Sequence, residues 1–172
     1  MIIKEVDYRV ATLFLQKWHY SPIIPKLTKH WLGCYIDDEL VGVLSLGWGT
    51  RPKHTIQVLF PELTSADYFE IGKMAMTDDM PKNSESQMLS LAIKWIRQHL
   101  RIKFLFTWAD GIVGKVGYVY QAANFLYGGY SETDLYVTEN GEKVHPRTMP
   151  VSYTHLRAHE TVLDLVCRLL LE

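Results

Sequence analysis

Along this chain the apolar residues recur at intervals of two in some stretches and of three to four in others, and each change of period marks an element. IIKEV at the start predicts a short strand, and YRVATLFLQKW places Val10, Leu13, Phe14 and Trp18 at helical intervals. Pro22 and Pro25 in HYSPIIPK forbid continuation of that helix and predict an extended loop. WLGCYI and LVGVLSLG flank the turn-like DDE, a hairpin signal, and GTRPKHTI reads as a basic loop. DYFEIGKMAMTDD predicts a strand that ends at a pair of aspartates. KNSESQMLSLAIKWIRQHL is the clearest helix: Met88, Leu91, Ala92, Trp95 and Ile96 share a face, and Ser84 with Gln87 has capping-box spacing. KFLFTWAD predicts a strand, and GYVYQAANFLYGGY, residues 117–130, a second helix rich in tyrosine, amide and glycine. LYVTENGEKVH carries Asn140-Gly141 between two short strands, where a tight hairpin turn needs residues tolerant of positive φ.

A length of 172 residues suits one domain with a real core. With 18 Lys plus Arg against 19 Asp plus Glu the formal charge is -1, so a nucleic-acid contact would need a local basic patch. A hydrophobic share of 48% and a charged share of 22% exclude whole-chain disorder. No apolar run approaches the ~20 residues of a membrane span, and MIIKEVDYR lacks a signal-peptide layout. The expectation is a soluble, cytoplasmic protein with no membrane partner. Cys34 and Cys167 have no metal-ligand spacing and form no disulfide framework; Cys34 is expected to be buried and inert.

The last stretch, VSYTHLRAHETVLDLVCRLLLE, resembles a translated sequencing adapter. Residues 1–149 are therefore read as the domain and 150–172 as a non-native tail, with the native C-terminus missing. Val162, Leu163, Leu165, Val166, Leu169 and Leu170 would share one face at helical spacing. His155, His159 and Cys167 are left out of every site.

The order strand, helix, hairpin, strand, helix, strand, helix, hairpin predicts an α/β (α+β) fold. It resembles the GCN5-related N-acetyltransferase architecture, a central mixed, mostly antiparallel sheet flanked by helices. In that family the strand before the central helix splays away and acyl-CoA enters the gap. The pyrophosphate then sits at the central helix's N-terminus, where free N–H groups and the helix dipole favour anions. Met80, Pro81, Lys82, Asn83, Ser84 and Glu85 hold that place here, without the family's glycine loop. Lys82 with Asn83 and Ser84 could hold phosphate, or Asn83 and Ser84 could simply cap a helix; Glu85 would repel the phosphate unless it points away.

Asp110, at a strand end, could be a base, a metal ligand or an acceptor, or merely form the turn before glycine. Tyr120 resembles the acyltransferase tyrosine that protonates departing CoA, and a phenol stays protonated near neutral pH. Gln121 and Asn124 lie close to it at helical spacing, with Asn124 where that family usually has glycine. Tyr118 and Tyr127 are expected to be buried tyrosines with one hydrogen bond each. His19, at a helix-loop junction, could move protons or bind a metal, or be a surface or capping residue.

Taken together, His19-Tyr20, DDMPKNSES at 78–86, WAD at 108–110, Gly114 and VGYVYQAANF at 116–125 resemble the Mom family of phage DNA-modification proteins, from about residue 2 to 147. The resemblance implies an acyltransferase-fold enzyme that converts adenine N6 in duplex DNA to a carbamoylmethyl (acetamido) derivative, shielding phage DNA from restriction. It implies acetyl-CoA as donor, although simple N-acetylation would not give that product. Carried over position by position, it marks His19, Tyr20, Glu70, Asp79, Asn83, Ser84, Glu85, Asp110, Tyr120, Gln121 and Asn124. It also suggests iron held by His19, Tyr20 and Asp110, since imidazole, phenolate and carboxylate can form such a site. Lys73 stands where many relatives have arginine. Double-stranded DNA would need a positive surface, for which Arg51, Lys53 and His54, with Lys26, Lys29 and His30, are the candidates. An ordinary small-molecule or protein N-acetyltransferase is the alternative, and an inactive DNA-binding relative a third reading.

Overall fold

A computed structural model describes residues 1–21, 23–49, 52–110, 116–137, 143–144 and 157–171. The elements are β1 (Ile2–Glu5), α1 (Tyr8–Trp18), β2 (Thr28–Ile36), β3 (Glu39–Gly47), a 3-10 turn (Pro52–His54), α2 (Ile56–Leu59), β4 (Tyr68–Met76), α3 (Ser84–His99), β5 (Phe104–Ala109), α4 (Tyr118–Ala122), β6 (Leu126–Val137), β7 (Lys143–Val144) and β8 (Arg157–Leu170). They build one sheet in the order β1-β2-β3-β4-β5-β8-β6-β7, antiparallel except for β4 against β5. This is the mixed, mostly antiparallel α/β architecture expected.

Local chemistry accounts for most boundaries. Asp7 caps α1 by accepting a hydrogen bond from the Arg9 amide at 2.8 Å. Asp37 and Asp38 both take positive φ, 47° and 64°, the backbone that a tight two-residue hairpin needs between β2 and β3. β6 and β7 pair through Tyr136 with Val144 and Val137 with Lys143, as the hairpin reading requires. The turn residues Asn140 and Gly141 lie outside the described residues.

Five expectations change. The capping box at α3 does not form, because Ser84 is already the first helical residue and is buried; Asn83 is the cap, left-handed at φ 71°, with no side-chain cap bond. The buried face of α3 is Met88, Leu89, Ala92, Ile93 and Ile96, with Leu91 and Trp95 at its margin. On α1 the buried residues are Ala11 and Leu15, while Val10 and Leu13 are exposed, because the sheet meets the helix on a neighbouring stripe. The stretch 117–130 holds only one short helix, α4, before Asn124 turns left-handed at φ 64° and the chain enters β6.

Residues 157–170 form a strand instead of the helix that their apolar spacing allows, because β5 and β6 both offer unpaired backbone there. Val166, Cys167 and Leu171 are buried in this position. Two apolar layers flank the sheet. Leu44, Phe69, Ile71 and Leu105 pack with the inner face of α3 and with Phe125 on one side. On the other, Val43 and Ala75 meet α1, and Tyr68, Phe106 and Val166 meet Ile56 of α2. Cys34 is fully buried, and burial pushes its thiol pKa up.

Candidate active site at the splayed strands

β4 and β5 pair only through Tyr68–Glu70 opposite Phe104–Phe106. Beyond that point Ile71–Met76 of β4 and Trp108–Asp110 at the end of β5 line the two sides of a cleft of about 820 Å³. A parallel pair that parts leaves backbone N–H and C=O groups without a ladder partner, which a bound chain can satisfy. The gap is where the acyltransferase architecture predicts it.

Three elements bring side chains to this gap. His19 ends α1 in an extended conformation, φ -97° and ψ 135°, which swings Tyr20 across the cleft mouth. The Tyr20 hydroxyl donates to Asp110 Oδ2 at 3.0 Å, joining residues 90 apart in sequence. The His19 and Tyr20 rings stack at 4.4 Å, and Lys73 Nζ lies 5.8 Å from the Tyr20 ring centre. His19 Nδ1 lies 2.9 Å from the Ser21 amide nitrogen and 3.0 Å from the Ser21 carbonyl oxygen, so Ser21 holds the ring from its Nδ1 side. Glu70 lines the floor, only 7% exposed, with its carboxylate against Gly49; at φ 67° that position favours glycine, and a Cβ there would displace the carboxylate.

Tyr120 faces the cleft from α4 and packs on the main core, its ring 5.8 Å from that of Phe125. Burial pushes its pKa up; Thr107 opposes this, while Cys167 and the Glu85 carboxylate add to it. The phenol therefore holds its proton throughout the neutral range, as a proton donor must. Glu85 lines the same cleft and does not point away from it.

The cleft thus unites His19, Tyr20, Glu70, Glu85, Asp110 and Tyr120. Other candidates fall elsewhere. Asp78 lines the cleft and Asp79 does not; Lys82 and Asn83 are exposed at the start of α3, with Ser84 buried beneath them. Gln121 turns back to donate to the Val116 carbonyl at 2.9 Å, and Asn124 supplies the left-handed turn after α4, so neither faces the cleft as their spacing suggested. A helix of only five residues cannot carry all three side chains on one surface. Lys53 and His54 are exposed on the 3-10 turn away from the cleft, while Arg51 and Gly114 lie outside the described residues. Lys26 does reach the cleft; Lys29 lies over Trp48 and His30 is 2.8 Å from Glu5. Tyr118 and Tyr127, expected to be buried, are 77% and 63% exposed. Trp18 and Trp108 also line the cleft.

Iron at His19, Tyr20 and Asp110 is not supported: Tyr20 donates to Asp110, Ser21 engages His19 Nδ1, and among the described residues no group of three His, Cys, Asp or Glu could hold a metal ion. An acyl-CoA fits better: the gap is elongated by the unpaired edge of β4, and α3 begins beside it at Asn83.

The sequence profile of the Mom protein family matches residues 1–165. The chain belongs to the Mom family. It is 34% identical over 148 residues to the methylcarbamoylase mom of Escherichia phage Mu, covering 86% of this chain and 61% of that protein. It thus spans somewhat under two thirds of that relative's length. Solved structures give this Mom-family fold its wider setting. The ribosomal-protein-S18-alanine N-acetyltransferase of Escherichia coli superposes with a TM-score of 0.59 at 9% identity, over 99% of this chain and 93% of that one. An N-acetyltransferase from Staphylococcus aureus gives 0.56 at 13%, covering 98% and 96%, and a Bacillus subtilis acetyltransferase in complex with CoA gives 0.52 at 15%, covering 98% and 99%. At such identities the likeness establishes the acetyltransferase fold. No described helix is long and apolar enough to cross a membrane.

Proposed function

We propose that this protein is a DNA-modifying transferase that converts adenine N6 in double-stranded DNA to a carbamoylmethyl derivative, with acetyl-CoA supplying the two carbons, a nitrogen donor replacing CoA at the carbonyl to form the amide, and a two-electron oxidant accounting for the new bond between N6 and the methyl carbon. It would act in the cytoplasm of a phage-infected cell, where modified DNA escapes restriction. The observation that carries the reading is the cleft between β4 and β5, with the Tyr20–Asp110 pair at its mouth and the protonated Tyr120 phenol inside it, in a Mom-family chain. The name of the phage Mu relative, a methylcarbamoylase, supports the class of group transferred.

Acetyl-CoA, when bound, supplies an activated acyl carbon. The residues around it have separable tasks. Asn83, Ser84 and Lys82 would receive the pyrophosphate at the start of α3, where the helix dipole favours anions. Glu85, facing the same cleft, opposes that charge, which makes the Lys82 ammonium more important to binding. Tyr120 would give its proton to the departing thiolate. Asp110, held by the Tyr20 hydroxyl, would accept a proton from the substrate amine, with Glu70 and Lys73 setting the charge of the floor. Exposed Lys26 at the cleft would take a phosphate of the duplex, with Lys53 on the 3-10 turn engaging the duplex further from the cleft. Residues 1–149 would form the catalytic domain, to whose sheet residues 157–170 add one strand.

Nucleoside mass spectrometry of plasmid DNA from cells expressing the full chain tests this reading. A modified deoxyadenosine is expected with the unaltered protein and should vanish with Asp110→Asn. Unmodified DNA, together with acetylation of a free amine by the purified protein, would replace it with an ordinary N-acetyltransferase.

A further inference from the structure

The lip of the cleft has a different character from its floor. Tyr20, Ile23, Val116 and Tyr118 line it and are 60%, 42%, 42% and 77% exposed, so four large apolar side chains stand in water around one opening. Tyr20 is held in place by Asp110 and His19. Tyr118, the first residue of α4, is the most exposed of the four. An apolar rim beside a polar interior marks a surface that gains by covering a ligand. Lys26 and Lys73 line the same cleft and add positive charge to it, with Lys73 Nζ 5.8 Å from the Tyr20 ring centre. Flat rings beside cations match a nucleotide whose base is out of the helical stack, because every base has a face to stack and every nucleotide carries a phosphate.

We propose that Tyr118 is the platform on which the purine extruded from DNA stacks, with Lys26 on the adjoining phosphate. This rests on the DNA reading given above and extends it to a residue that the family resemblance does not mark. An adenine held in a duplex hides its exocyclic amine in the base pair. A ring at the lip would hold the extruded base with that amine directed toward Asp110 and the acyl donor. Tyr118 acts by position and takes no part in proton transfer, so the phenol hydroxyl is dispensable and the ring is not.

The test is titration of the full chain, at fixed low salt, with a fluorescent short oligo(dA) and with an abasic oligonucleotide of equal length. Tyr118→Ala should weaken oligo(dA) binding about tenfold, within the range of base-on-aromatic stacking. Tyr118→Phe should bind like the unaltered protein, and the abasic strand should bind all three proteins equally. Equal oligo(dA) binding by Tyr118→Ala, or an equal loss on the abasic strand, would overturn the proposal. So would a loss of CoA binding with oligo(dA) unaffected, because the stacked purine would then be that of CoA. Tyr118-dependent oligo(dA) binding by a protein that leaves cellular DNA unmodified would keep this inference and remove the transferase reading.

Discussion

At the scale of single residues, the cleft couples groups that have no local reason to meet. Tyr20 and Asp110 form one hydrogen-bonded unit, so removing the hydroxyl alone should release Asp110 without opening a cavity. Tyr20→Phe is therefore expected to lower kcat by about 10- to 100-fold while leaving the thermal midpoint within a degree or two; an equal fall in both would mark Tyr20 as structural. Gly49 offers the opposite case. A methyl group there meets the Glu70 carboxylate at a φ of 67° that side chains rarely adopt. Gly49→Ala should cost about 1–3 kcal/mol in urea unfolding, the usual range for local backbone strain. Titration belongs to this scale as well. Tyr68, Tyr120, Cys34 and Cys167 all have raised pKa values, each first of all through burial. Folding therefore favours their protonated forms. That stability is complete below the ordinary values of 9.0 for the thiols and 10.0 for the phenols, and is lost as pH rises past them toward the folded values. The urea midpoint should fall from about pH 9 upward, and a flat profile there would contradict the assigned burial.

At the scale of elements, the short α4 separates structural from functional polar residues. Asn124 looked like a substrate contact by helical spacing, yet its backbone is left-handed at φ 64°, where asparagine and glycine are the least strained choices. Asn124→Gly should keep both fold and DNA modification, whereas Asn124→Ala should cost about 1–2 kcal/mol. Loss of modification in a folded Asn124→Gly protein would return the side chain to the site. The element boundaries at α1, the β2–β3 hairpin, β4, α3 and β5 were legible because period, proline and turn residues agreed there. The faces of α1 and α3 were less so, since several adjacent apolar stripes fit a helix equally well and only the sheet selects one. Tyr118 was misread for the same reason: its type suits a core, but the helix it opens stands at the rim.

At the scale of the whole molecule, the sheet depends on the segment furthest along the chain. β8 lies between β5 and β6 and brings Val166 and Cys167 into the core. A chain ending at residue 156 should leave both neighbours with unpaired edges and lose its cooperative thermal transition by circular dichroism. Replacing 157–170 with the corresponding strand of a relative should restore it. DNA binding also belongs to this scale, because a formal charge of -1 leaves any attraction to local groups. Lys26→Gln should make the dependence of log Kd on log salt shallower by roughly one unit, and an unchanged slope would remove Lys26 from the interface.

The sequence alone determined the alternation of elements, the proline break after α1, the aspartate turn and the motifs that mark the Mom family, because these depend on residues close along the chain. It also placed His19, Tyr20, Asp110 and Tyr120 among the candidates. Only the tertiary structure decided which of them share a cleft, because that depends on where β4 parts from β5 and how Tyr20 swings across to Asp110. The same holds for Gln121, Asn124 and the strand at 157–170. Their surroundings come from distant segments, and an apolar or amide side chain accepts whichever partner the assembled sheet provides.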